Sequence, residues 1–283
     1  MYTDRNIRMN TPNYIDVLSN IDINTPPRDI ESLSVKCGDN ETIAHLFALC
    51  KINIPLSYDI LSLTNTRGIS VYATMRDSEA LFDGCIRCLS ATFKNGEPVA
   101  HLLARHGFNF LEQPDVMTLV GLNGDTTAHV QARVGIHPPQ DSKYLKLVNG
   151  AGDSVALIMA ANGYRFGDLD NEVSLISNDA GWKVIHEEVS GGRRVHGSNP
   201  ILLESSHNGT TVAHLVAYNG HGKDFGDNLY KLKDLQGLTV AHCAALSGTD
   251  TVFSDEVLQL KTNDGISVQD VLNDPCCLKP ILC

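Results

Sequence analysis

The stretch NGTTVAHLVAYNGH, Asn208 to His221, decides the fold, because QGLTVAHCAALSGT follows it 28 residues later, from Gln236 to Thr249. With Gly209 as position zero, steps of about 28 residues land on Asn40, Gly68, Gly96, Gly124, Gly152, Gly181, Gly209, Gly237 and Gly265. One step, Gly152 to Gly181, is 29. Other columns keep the same register. Position +3 is β-branched in all nine units, from Ile43 and Val71 to Val240 and Val268. Position +5 is His in six: His45, His101, His129, His186, His214 and His242. Position +8 is Ala in six and +11 is Gly in six. A fixed period across this many columns marks a repeat protein.

Each unit has a physical reading. The Gly at zero makes a turn, and Ser or Thr at +2 can cap a helix start. Positions +3, +4, +7 and +8 share one helical face, and the small Ala residues let neighbouring helices approach. Gly at +11 ends this helix. After a loop of about six residues, Ser57, Asp141, Asp170, Asp227 and Ser254 stand where a second, short helix needs its N-cap. Apolar residues at +21 and +23 give that helix its buried side. Such a pair cannot bury its apolar face alone, so stacked pairs must share a core.

The ends read as degenerate caps. Residues 1–39 fit an opening unit, with Ile15 at +3, Asp29 as an N-cap, Leu33 at +21 and Val35 at +23. Residues 40–264 form the array. Residues 265–283 lose the Ala and His columns and read as one closing helix and a tail. The fold expected is therefore all-α, a solenoid of about ten helix-turn-helix units.

The phrase G-x-T-V-A-H-x-x-A-x-x-G resembles the ankyrin repeat, whose first helix opens T-P-L-H-x-A and closes at a Gly. Gly209, Thr211, His214, Ala217 and Gly220 fall on that spacing. The period here is shorter than the ankyrin 33, which places the missing residues in the second helix and the following loop. The resemblance implies that the six histidines are structural, each bonding the helix-start Thr and the backbone of the next unit. It also implies a non-enzymatic scaffold that holds a protein partner on its concave face, with the turn tips and first helices as the contact surface.

Composition narrows the function. The chain has 283 residues, 42% hydrophobic and 19% charged, as an ordinary globular protein does. Its net charge of −11 argues against direct nucleic-acid binding and suits a basic protein partner. Eight scattered cysteines point to free thiols and a cytoplasmic setting, or a host cytoplasm if the chain is a delivered effector. No apolar run is long enough for a membrane span. Cys85 and Cys88 form a lone C-x-x-C without the second pair a zinc site needs, and Cys276, Cys277 and Cys283 cluster near the end. No phosphate loop, zinc-protease motif or nucleophile elbow is present. The reading therefore assigns no catalytic residue, metal or cofactor.

The candidate partner surface follows from position +1, the turn tip. Glu97, Asp125 and Asp153 are acidic there, whereas Trp182, Leu238 and Ile266 are apolar. A tip is expected to be exposed, and Trp is enriched in binding hot spots. Arg193 and Arg194, in the loop SGGRRVHGSNP, are the densest basic spot and could meet a carboxylate or phosphate. Two other functions are open. Acidic tips could mimic nucleic acid and block a nucleic-acid-handling protein. Alternatively, His186, Arg193, Arg194 and His196 could form an enzyme site in the loops.

Overall fold

The structure, a computed structural model, describes residues 14–22, 24–37, 41–50, 52–55, 57–76, 86–139, 142–168 and 172–278. Asn40, the N-cap candidates Asp141 and Asp170, and Cys85 and Cys283 lie outside these residues, as do the side chains of Ile15 and Cys88.

The chain is mostly helical and follows the repeat register. First helices of six or seven residues start at +3 in every unit: Ile43–Leu49, Val71–Arg76, Val99–Arg105, Thr127–Arg133, Val155–Ala161, Val184–Ser190, Val212–Tyr218, Val240–Leu246 and Val268–Asn273. Second helices are single turns of four residues, such as Tyr58–Leu61, Pro114–Met117, Asp227–Tyr230 and Asp255–Leu258. Three of them, Lys143–Lys146, Glu172–Leu175 and Pro200–Leu203, wind as 3-10 turns. The 28-residue period thus leaves the second helix a single turn. Ser57 and Ser254 cap these turns as the spacing predicts, and Ser142 and Asn199 do so as well. Asp227 does not. Gly226 is the N-cap there and Asp227 is already helical.

Between units the backbone forms a small hairpin that the helix-turn-helix description omits. In the Gly209 unit, Ser206 N–H bonds Thr210 O, Gly209 N–H bonds Ser206 O and Val212 N–H bonds Glu204 O. The same three bonds recur around Gly68, Gly96, Gly124, Gly152, Gly181, Gly237 and Gly265. Asn65, Asn149, Asn178 and Asp234 brace their turns by accepting two backbone N–H groups each on Oδ1.

The chain divides into two compact units, 1–138 and 139–283. The boundary falls at Pro138-Pro139, in the loop between the two helices of the Gly124 repeat. In the second unit the first helices from Val155–Ala161 to Val268–Asn273 pack in succession. Hairpins there are also stitched together: His207, Leu235 and Asn263 N–H groups bond the carbonyls of Ala180, Asn208 and Gln236 one hairpin back. The core holds Val212, Val240, Val268, Tyr230 and Val257 in one cluster. In the first unit, Ile43–Leu49 packs on Val71–Arg76 and Val99–Arg105 on Thr127–Arg133. Lys94, at the stitching position, bonds Ile21 O of the N-terminal segment instead.

The closing unit does not stop after one helix. Pro275–Leu278 makes a further 3-10 turn, and Leu278 is buried against the same cluster as Val268 and Val271. At +5 this unit has Asp270, which accepts both the N–H and the hydroxyl of Ser267.

Candidate interaction surface

The histidine column sits under the surface. His45, His129, His186 and His242 are fully buried, and His101 and His214 nearly so. Thr42, Thr126, Thr211 and Thr239 hydroxyls lie 2.6 to 2.8 Å from the Nδ1 of the histidine three residues on. In the latter three pairs the threonine N–H also donates to Nδ1, at 3.1 to 3.2 Å. A backbone N–H can only donate, so Nδ1 is the acceptor and the proton sits on Nε2. Nε2 then donates across to the next hairpin: His45 to Ile69 O, His214 to Leu238 O and His242 to Ile266 O, at 3.0 to 3.1 Å. Burial is the main cause that holds His45, His101, His214 and His242 below the usual histidine range. Burial and the Lys183 ammonium bring His186 to about 4.

His101 departs from this pattern for a visible reason. Pro98 stands at +2 and offers neither N–H nor hydroxyl. The ring bonds Leu119 O at 2.9 Å, and its Nδ1 lies over Gly121, where a Cβ would come within 2.7 Å.

The tip row is more engaged than its position suggests. Glu97 pairs with Arg105 and Asp125 with Arg133, each eight residues on along the first helix of its own repeat. Asp153 accepts from Asn178. The acidic tips are therefore largely answered internally. The apolar tips are not free either. Leu238 is buried in the core cluster, where its carbonyl accepts from His214 Nε2, and Ile266 packs partly against the same core. Trp182 is half-buried: Nε1 donates to Glu187 at 3.1 Å and its ring covers His186 with centroids 4.8 Å apart.

Arg193 is not a solvated loop residue. Its guanidinium bonds Glu188 at 2.6 Å, Phe166 O at 2.7 Å and Gly167 O at 2.6 Å. Glu188 is buried and also accepts Phe166 N–H at 2.6 Å. Burial pushes its carboxyl up, while the Phe166 N–H and Arg193 pull it back down. This clamp fastens the loop of the Gly152 repeat to the Gly181 repeat. Arg194, one residue on, is exposed. His186, Arg193, Arg194 and His196 do not converge: the first is sealed in the core, the second is committed to the clamp, and His196 bonds Ser198. Among the described residues no group of three His, Cys, Asp or Glu could hold a metal. Cys276 is exposed and Cys277 half-buried.

Surfaces missed from the sequence emerge beside the tips. In the first unit a groove of about 470 Å³ runs between hairpins and first helices, lined by Glu97, Arg105, Leu122, Asp125, Val130 and Arg133 among others. It is edged by the two ion pairs. The equivalent positions in the Gly209 and Gly237 repeats carry no charge, with Thr210 and Leu238 at +1. Tyr218 replaces Arg105 at +9 and is 54% exposed, while Leu235 is an exposed leucine just as Leu122 is at the same position. Leu246 replaces Arg133 and is half-buried.

No protein-family model matches the chain, and no curated protein is similar to it. Among solved structures it is similar to the ankyrin repeat domain of Bcl-3, described as a member of the IkappaB protein family. The two share 11% identity over 65% of this chain and 84% of that one, with a TM-score of 0.35. Among the described residues no helix is long and apolar enough to cross a membrane.

Proposed function

We propose that this chain is a non-catalytic scaffold that binds a partner protein through the hairpins and first helices of the Gly181, Gly209 and Gly237 repeats. The observation that carries the reading is the change along one register. Positions closed by ion pairs at Glu97–Arg105 and Asp125–Arg133 become Thr210 with an exposed Tyr218, and a buried Leu238 with a half-buried Leu246. A repeat fold asks the same of equivalent positions, so the apolar set is not required for stacking. Exposed tyrosine beside apolar side chains is the composition of interface anchors. Trp182 adjoins this region, with its indole edge held by Glu187. Holding a partner without transforming it is the work of an inhibitor, an adaptor or an effector.

The nucleic-acid mimic is a weaker reading, because Glu97, Asp125 and Asp153 already have partners within the fold. The experiment is affinity capture with three chains: the natural one, Tyr218→Ser with Leu235→Ser, and Arg105→Ala with Arg133→Ala. The expected result is one stoichiometric protein, retained by the arginine variant and lost by at least tenfold from the Tyr218/Leu235 variant. The scaffold reading on this face fails if the arginine variant alone loses the partner.

A further inference from the structure

A second surface lies at the far end of the first helices, where the loops after +11 gather. Arg165, Arg193 and Arg194 line one depression of about 540 Å³ with Phe166, Gly167 and Gly192. In a chain of net charge −11, three guanidiniums around one hollow are a local reversal of sign. They are not equivalent. Arg193 is spent on Glu188 and the Phe166 and Gly167 carbonyls. Arg165 and Arg194 are exposed and neither makes a hydrogen bond or ion pair among the described residues, although the Arg165 charge also acts on the Glu188 carboxylate. By contrast Arg105 is answered by Glu97 and Arg133 by Asp125.

The hollow is also built rather than incidental. The buried Glu188–Arg193 clamp fixes the Phe166–Gly167 loop to the Gly181 repeat, and Phe166, Gly167 and Gly192 line the hollow together with the two exposed guanidiniums. Gly167 and Gly192 put no side chain into the space. Arg194 also lines a neighbouring depression of about 740 Å³ with His196, His221 and Lys223, where Asp224 and Asp250 contribute opposite charge. The first depression thus carries exposed arginines, and the second is of mixed sign.

We infer that the Arg165–Arg194 hollow is an oxyanion site that seats a Glu or Asp carboxylate from an acidic segment of a protein partner. Guanidinium forks suit planar carboxylates, two donors to two oxygens. The adjoining depression gives such a segment somewhere to continue, which a free ion would not need. The inference rests on the partner being a protein, but not on the hairpin face, so the two can fail separately.

The test uses the full chain and a fluorescein-labelled hexaglutamate peptide, read by fluorescence anisotropy. Binding is expected at low salt and should weaken steeply on raising ionic strength to roughly 0.15 M, where the Debye length is ~8 Å. Arg165→Ala with Arg194→Ala should weaken it by at least tenfold. Lys143→Ala with Lys146→Ala removes the same charge elsewhere and should change it less than threefold. Tyr218→Ser with Leu235→Ser should leave it unchanged. Circular dichroism of each variant checks that the fold is kept. Absence of peptide binding, or equal loss in the lysine variant, overturns the site. Displacement of the peptide by inorganic phosphate at equal charge concentration also overturns it, in favour of a small-anion site.

Discussion

At the scale of the residue, the chain is organised by histidines that must remain neutral. Nδ1 of His129, His214 and His242 faces a backbone N–H, and a proton there would set two donors against each other. Unfolded histidine titrates near 6.5. Folded values lie lower for His45, His101, His214 and His242, and at about 4 for His186. The unfolded state therefore binds more protons below pH 6.5, so stability is full above that pH and falls as pH drops toward 4. Thermal melts between pH 7.5 and 4.5 should show a progressive fall in Tm; a flat profile would refute the neutral-histidine account. His214→Ala removes the acceptor of Thr211 N–H and the donor to Leu238 O, and should cost ~1–3 kcal/mol in chemical denaturation. A loss under ~0.5 kcal/mol, the range of an ordinary surface substitution, would mean water replaces the ring without penalty. Arg193 marks the limit of sequence reading at this scale. Glu188 lies only five residues away, but the Phe166 and Gly167 carbonyls that complete the clamp belong to the preceding repeat, and nothing in one repeat announces them.

At the scale of the element, the helix starts were legible because the Ser or Thr at +2, the β-branched +3 and the Ala columns state them locally. Hairpin stacking was not, since it depends on what the next repeat brings. Gly181 and Gly237 have φ of 70° and 78°, which alone favours glycine. The next hairpin adds a second demand: a Cβ on Gly237 would lie 2.6 Å from Asn263 N, and one on Gly181 2.9 Å from His207 N. Gly265 has a similar φ of 85° but nothing within 4 Å. Gly265→Ala should therefore cost only the left-handed backbone penalty, ~1–2 kcal/mol. Gly237→Ala should add the cost of overpacking, a further ~1–3 kcal/mol. Equal losses in urea titrations of the two variants would show that stacking does not use the glycine. A column of buried residues at +14, with Ile54, Phe110, Phe166 and Val195, was present in the sequence and unread. It hides because the Gly209 and Gly237 repeats move the aromatic to +16, at Phe225 and Phe253.

At the scale of the molecule, the period made the repeat architecture legible, while the surface that would meet a partner was not. Tip residues look exposed by analogy between repeats, yet Leu238 is covered and Trp182 turns back onto Glu187 and His186. The acidic half of the register answers its own charge, and in the Gly209 repeat an exposed Tyr218 stands where Arg105 does. The central claim, that this open face holds a protein, is tested most directly by placing a photo-crosslinking phenylalanine analogue at position 218 and, separately, at position 105. The account predicts one discrete crosslinked protein from position 218 and none from position 105. The same adduct from position 105 with none from position 218 would contradict it.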